Sequence, residues 1–89
     1  MKRIRSVTIQ GKRWRVVWDK LPKDWGLCST SESVIEMDSG IKDNITYATI
    51  LMHEMLHGML PNVEEDFITQ MADDLAVAIH RAGLIAEDE

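Results

Sequence analysis

A single α+β domain is predicted by three features of the sequence. Apolar and polar residues alternate through positions 6–18, an almost wholly apolar helical run fills 45–57, and a second helical period begins near 63. Strands precede helices, which is the order of an α+β fold and not of alternating βα units. The 89 residues suffice for one core, so residues 1–89 are read as one domain. With 45% hydrophobic and 28% charged residues, the chain has the makeup of a folded protein.

Each element has its own signal. Val7 and Ile9 alternate with Ser6, Thr8 and Gln10, and after a turn at Gln10-Gly11-Lys12 the residues Trp14, Val16 and Trp18 alternate with Arg13, Arg15 and Val17. This spacing predicts a β-hairpin with one aromatic and aliphatic face. Leu21–Gly26 holds Pro22 and Gly26 and reads as a connection. Residues 33–38, Ser-Val-Ile-Glu-Met-Asp, predict a third strand closed by Ser39-Gly40, which completes a three-stranded sheet. From a cap at Asp43 or Asn44, residues 45–57 predict a helix that is apolar nearly all round and therefore central. Gly58 to Asn62, with Pro61, predicts a break, and Asn62 with Glu65 has the spacing of a capping box for a second helix starting near Val63. Ile68, Met71, Ala72, Leu75, Ile79 and Ala82 give that helix its buried row, and Gly83 its C-terminal cap.

Composition narrows the function classes. The net charge of −5 hides an asymmetry, because residues 1–23 carry eight basic side chains against Asp19 alone, leaving −12 on residues 24–89. The basic front reads either as a surface for nucleic acid or an acidic protein, or as a solvated sheet face that offsets the acidic helices. The solvated face is the commoner outcome for such a charge run. The single Cys28 excludes a disulfide framework or a cysteine-based zinc finger within the chain. No apolar stretch approaches the roughly 20 residues of a membrane span, and Met1–Arg5 lacks the apolar core of a signal peptide. A cytoplasmic protein without membrane contact is the expectation. Trp14, Trp18 and Trp25 in so short a chain leave room for an exposed apolar patch, so both a monomer and a homodimer stay open.

The chemistry concentrates in His53-Glu54-Met55-Leu56-His57, an H-E-x-x-H motif on the central helix. Residues four apart lie above one another on a helix, so both imidazoles can converge on one Zn2+ with Glu54 beside them. Two imidazoles and a carboxylate are costly to bury in an apolar helix without a ligand. A catalytic zinc needs a third protein ligand and an open position. The short connection delivers the start of the second helix to the His57 end of the first, which brings in Glu64, Glu65 and Asp66. Tracing the apolar row back one turn selects Glu65, with Glu64 in reserve, and turns Asp66 away. Zinc would lower the pKa of its water and polarise a carbonyl, and Glu54 would accept the proton as general base. Hydrolysis of a peptide bond is the expected reaction.

Other candidates have lesser roles. Tyr47 lies six residues before His53 on another part of the circumference, a poor position for a second oxyanion donor. His80 lies about 22 Å along the second helix from the acidic cluster and is read as a surface or packing residue. Cys28 is soft enough to be an inhibitory or fourth ligand, yet a buried free thiol is the commoner fate of a lone cysteine. The third strand, 33–38, is expected to lie either along the cleft, where a peptide substrate can add to its edge, or buried within the sheet.

Taken in order, residues 33–38, His53-Glu54-Met55-Leu56-His57-Gly58, Val63-Glu64-Glu65-Asp66-Phe67 and Ala72-Asp73-Asp74-Leu75-Ala76 resemble the zincin metallopeptidases, in particular the short zincin-like proteins of phage and prophage genomes. The resemblance spans roughly residues 26–83. It implies a minimal zincin-like fold of the gluzincin type, with a small antiparallel or mixed three-stranded sheet packed on an active-site helix and a C-terminal supporting helix. It also implies His53 and His57 as zinc ligands, Glu54 as base and a second-helix glutamate as third ligand; for a phage-encoded chain, the location would be the host cytoplasm. The extra histidine of the metzincins is missing, which excludes that branch. The leading reading is thus a zinc-dependent peptidase acting on a narrow set of protein or peptide substrates. A second is a zinc-stabilised, non-catalytic binding module whose basic hairpin contacts nucleic acid or an acidic protein. A third is a metal-free interaction protein in which the motif is accidental.

Overall fold

The structure, a computed structural model, describes residues 1–88. Four strands, β1 (Ser6–Ile9), β2 (Lys12–Asp19), β3 (Gly26–Ser29) and β4 (Val34–Asp38), are followed by α1 (Asn44–Met59) and α2 (Glu65–Arg81). The sheet order is β1-β2-β4-β3; β1 and β3 run antiparallel to their neighbours, and β2 and β4 are parallel. The α+β class of the sequence reading holds, while the three-stranded sheet is corrected to a mixed sheet of four.

Gln10 and Gly11 both have positive φ (51° and 79°), the signature of a two-residue hairpin turn that matches the twist of the flanking strands. Lys12 therefore already belongs to β2, opposite Ile9. One face of the sheet carries Ile9, Trp14, Val16, Ile35 and Met37, all buried, with half-buried Trp18 beside them. Burying side chains of this size stabilises by about 1.5–3 kcal/mol each. Arg13, Arg15 and Val17 alternate with that row and are exposed. Of the three tryptophans only Trp25 is exposed.

The strand at 33–38 is not the sheet edge. Ser33, at φ 56°, belongs to the turn, and β4 is hydrogen-bonded to β2 on one side and β3 on the other. The edge nearest the helices is β3, whose four residues begin at the Gly26 that the sequence reading placed in a connection. At the end of β4, the Asp38 carboxylate accepts from the backbone N–H of Leu21 (2.7 Å) and Gly40 (2.9 Å), which pins the loop leaving β2.

Asp43 caps α1, its carboxylate accepting from Thr46 N–H at 2.9 Å, and those hydrogen bonds hold its carboxyl below the usual range. The helix continues through Gly58 where a break was expected. A Cβ there would lie 2.9 Å from Ile9 Cδ1 and 3.0 Å from Trp14 Cη2, so this glycine serves close helix-to-sheet approach and does not end the helix. The capping box is also corrected. Leu60 C=O accepts from Val63 N–H, which keeps Asn62 in the inter-helix turn, and α2 starts at Glu65 with Glu64 as its N-cap. Ile68, Ala72 and Ala76 form the buried row of α2, whereas Leu75 and Ala82, expected within it, are exposed. At the other end, Gly83 (φ 74°) gives a Schellman cap: Leu84 N–H donates to Ile79 C=O, and Gly83 N–H to His80 C=O. Among the described residues no helix is long and apolar enough to cross a membrane.

Candidate metal centre

Helix α1 lies between the sheet and α2, and every residue it contributes to its interfaces is only half-buried, with one exception. That exception is Glu54, at 6% exposure the sole buried residue of the helix. One helical step away, His53 and His57 turn their Nε2 atoms towards one another, 3.1 Å apart. Glu65, the first residue of α2, closes the triangle: Oε1 is 2.7 Å from His53 Nε2 and Oε2 is 2.7 Å from His57 Nε2. Sequence reasoning had selected these three residues as one ligand set, and they come together here. Reserve Glu64 does not join them; it is the N-cap residue and lies outside the convergent group.

The donor set fits a zinc ion. Two imidazole nitrogens and one carboxylate make up a His2Glu set, which leaves a fourth tetrahedral position open. Around a tetrahedral ion with bonds of about 2.0–2.1 Å, ligand atoms stand about 3.3 Å apart. The two imidazole nitrogens, at 3.1 Å, stand close to that spacing, while the two nitrogen-to-carboxylate contacts, at 2.7 Å, are shorter and would open on taking up an ion. The 2.7 Å contacts are hydrogen-bond distances between each Nε2 and its own carboxylate oxygen, so it is the chemistry of the donor set that fits an ion.

Glu54 stands beside this triangle at the floor of a groove of about 680 Å³ that runs between α1, β3 and the first residue of α2. Burial, then the nearby charges of Glu65 and Asp24, push its carboxyl up from the ordinary 4.5 to about 7. A carboxylate so poised suits proton transfer near neutral pH. A Cβ on Gly26 would lie 2.9 Å from Glu54 Cγ and 2.8 Å from Ile50 Cγ2. Changing Gly26→Ala is therefore expected to displace Glu54 and to cost about 1–3 kcal/mol by overpacking. Chemical denaturation checks this, and a variant as stable as the parent would show that Glu54 has room to swing aside.

The remaining candidates sort themselves by position. Cys28 lines the groove from β3 but is not among the convergent donors; burial first, and Glu54 second, push its thiol up to about 11. Cys28 is thus a free thiol, as the sequence reading preferred, but half-buried where a buried one was expected. Tyr47 is committed elsewhere, its hydroxyl donating to Lys2 C=O (2.8 Å) and accepting from Ile4 N–H (3.1 Å). His80 is exposed near the far end of α2. The sequence reading missed β3 and, with it, Asp24 and Trp25 at the groove rim; the only local signal was a short apolar pair, Leu27-Cys28, after Gly26. No protein-family model, curated protein or solved structure matches the chain.

Proposed function

We propose that this protein is a zinc-dependent peptidase of the minimal, zincin-like kind, with His53, His57 and Glu65 as metal ligands and Glu54 as general base. The observation that carries the reading is the convergence of His53, His57 and Glu65, one donor atom from each lying within 4.8 Å of the others, with a buried carboxylate next to them in an open groove. When bound, zinc would supply an acidified water and polarise the substrate carbonyl. The chain's own residues do the rest. Glu54 accepts the proton of the attacking water and returns it to the departing amine. Along the same groove β3 is an edge strand, bonded only to β4, so an extended peptide can pair with its free side and bring one bond over Glu54. This role passes from residues 33–38, which lie inside the sheet, to Gly26–Ser29.

Metal content measured by elemental mass spectrometry, on protein prepared without chelators or a metal-binding tag, tests the reading. Near one zinc per chain is expected, with affinity weakened at least about 10- to 100-fold in Glu65→Ala, because removing a ligand costs at least as much as removing its supporting partner. Protein that takes up no metal after zinc is added back would overturn it.

A further inference from the structure

The proposed peptidase chemistry leaves the basic N-terminal region without a role, and the structure gives that region a defined shape. Strand β1 covers β2 only from Lys12 to Arg15. Beyond it the N-terminal segment takes over, with Val16 N–H donating to Arg5 C=O at 2.9 Å. Between this segment and β2 lies a groove of about 500 Å³ lined by Arg3, Arg5, Arg15, Val16, Val17 and Trp18. Three of the chain's five arginines line it, and no lysine or acidic residue does.

Two features separate this groove from an ordinary solvated charge run. Its backbone is anchored at four points: Ile4 N–H to Tyr47, Tyr47 to Lys2 C=O, Trp18 Nε1–H to Ile4 C=O (2.9 Å), and the Val16–Arg5 bond. Arg3 is itself held in place, one guanidinium nitrogen donating to Ser39 C=O at 2.7 Å while the group lies 5.1 Å over the Trp18 ring. Furthermore, the cations are left unneutralised. The chain has 15 acidic residues, yet among the described residues none pairs with Arg3, Arg5 or Arg15. A guanidinium carries five donors, and of the three groups only Arg3 spends one on the protein.

We propose that this groove is a binding site for a phosphate group, carried either by the backbone of a single-stranded nucleic acid or by a free phosphate. One carboxylate offers two oxygens and satisfies a single guanidinium fork. A phosphate offers more oxygens and more charge, and can engage several forks around one hollow. The charged part of the lining is arginine alone, beside Val16, Val17 and Trp18, which suits that chemistry. The metal groove runs along β3, at the opposite edge of the sheet, and the two grooves share no lining residue. Phosphate binding and zinc binding are therefore independent of one another.

Fluorescence anisotropy of the full chain with a labelled 20-nucleotide single strand, at several salt concentrations, tests the site. Three phosphate contacts give a slope of log K against log salt of about −2. The Arg5→Gln/Arg15→Gln variant is expected to lose at least about 10-fold in affinity and to flatten that slope, while its zinc content stays at the parental level. Arg15→Lys alone, an exposed change on a solvated face, guards against loss of folding and is expected to retain intermediate affinity. No binding of the strand, with saturable binding of inorganic phosphate or pyrophosphate seen by titration calorimetry at the same low salt and lost in Arg5→Gln/Arg15→Gln, assigns the site to a free phosphate. Competition by polyglutamate as strong as by the oligonucleotide overturns the preference for phosphate. Binding unchanged in Arg5→Gln/Arg15→Gln, or no binding of any of these anions at low salt, overturns the site.

Discussion

Replacing Glu54 by Gln is expected to abolish peptide hydrolysis while zinc content stays at the parental level. The amide matches the carboxylate in shape but cannot accept a proton, and a positioned general base contributes about 10²–10⁴-fold. His53, His57 and Glu65, which make up the proposed ligand set, are untouched by the change. Turnover of a mixed peptide pool followed by mass spectrometry checks this; a variant within a factor of about ten of the parent would remove Glu54 from the chemistry. The same substitution has an opposite effect on the stability of the metal-free chain. Because the Glu54 carboxyl is raised from 4.5 to about 7 in the fold, the native state binds more protons than the unfolded state between those values. Stability therefore falls as pH rises through that window, and the loss is complete above about pH 7. Metal-free Glu54→Gln should exceed the parent there by about 1–3 kcal/mol and lose this advantage below pH 4.5. A group that lowers stability but is needed for turnover is the expected profile of a functional carboxylate.

What the sequence disclosed, and what it withheld, follows from the range of the interactions involved. The hairpin and α1 were legible because their signals are local: alternation across a two-residue turn, and an apolar run opened by Asp43. His53 and His57 were legible because helix geometry alone sets residues four apart on one face. Strand β3 was hidden because its four residues become a strand only through pairing with β4, a contact that no local pattern announces. Without it, residues 33–38 stood open as either the sheet edge or a buried strand, and the structure shows the buried one. Glu65 is the most instructive case. The sequence offered it two uses: reaching back to Asn62 in a capping box, or reaching across to the histidines. One carboxylate cannot do both. The turn closed by Val63 N–H and Leu60 C=O delays α2 until Glu65 itself is the first helical residue, and both carboxylate oxygens then face the imidazoles. Supporting that geometry, the row Ile68, Ala72 and Ala76 fixes the rotation of α2 against α1. Leu75 falls outside the row because the contact follows spacings of four residues, with small alanines that let the helices approach.

Removing zinc is expected to lower the thermal midpoint of the protein by on the order of 10–30 °C. A ligand bound only by the native state stabilises it by about 2.7 kcal/mol at 100 times its dissociation constant and about 4.1 kcal/mol at 1,000 times. In a domain of this size each kcal/mol moves the midpoint by about 4–8 °C. The proposed site is placed to give the full effect. His53 and His57 belong to α1 and Glu65 to α2, so a shared ion would tie together two helices whose buried row on α2 is only Ile68, Ala72 and Ala76. A domain of this size has few other means of securing α2, with Ile35, Met37, Ile41 and Ile68 as the only large, fully buried side chains among the described residues. Calorimetric scans of zinc-loaded and chelated protein measure the shift. In Glu65→Ala the two scans are expected to converge near the chelated parental value, since the ion would lose its only ligand from α2. Loaded and chelated parental protein melting together would mean that no ion joins the helices, and the triangle of donors would then have to be explained by hydrogen bonding alone.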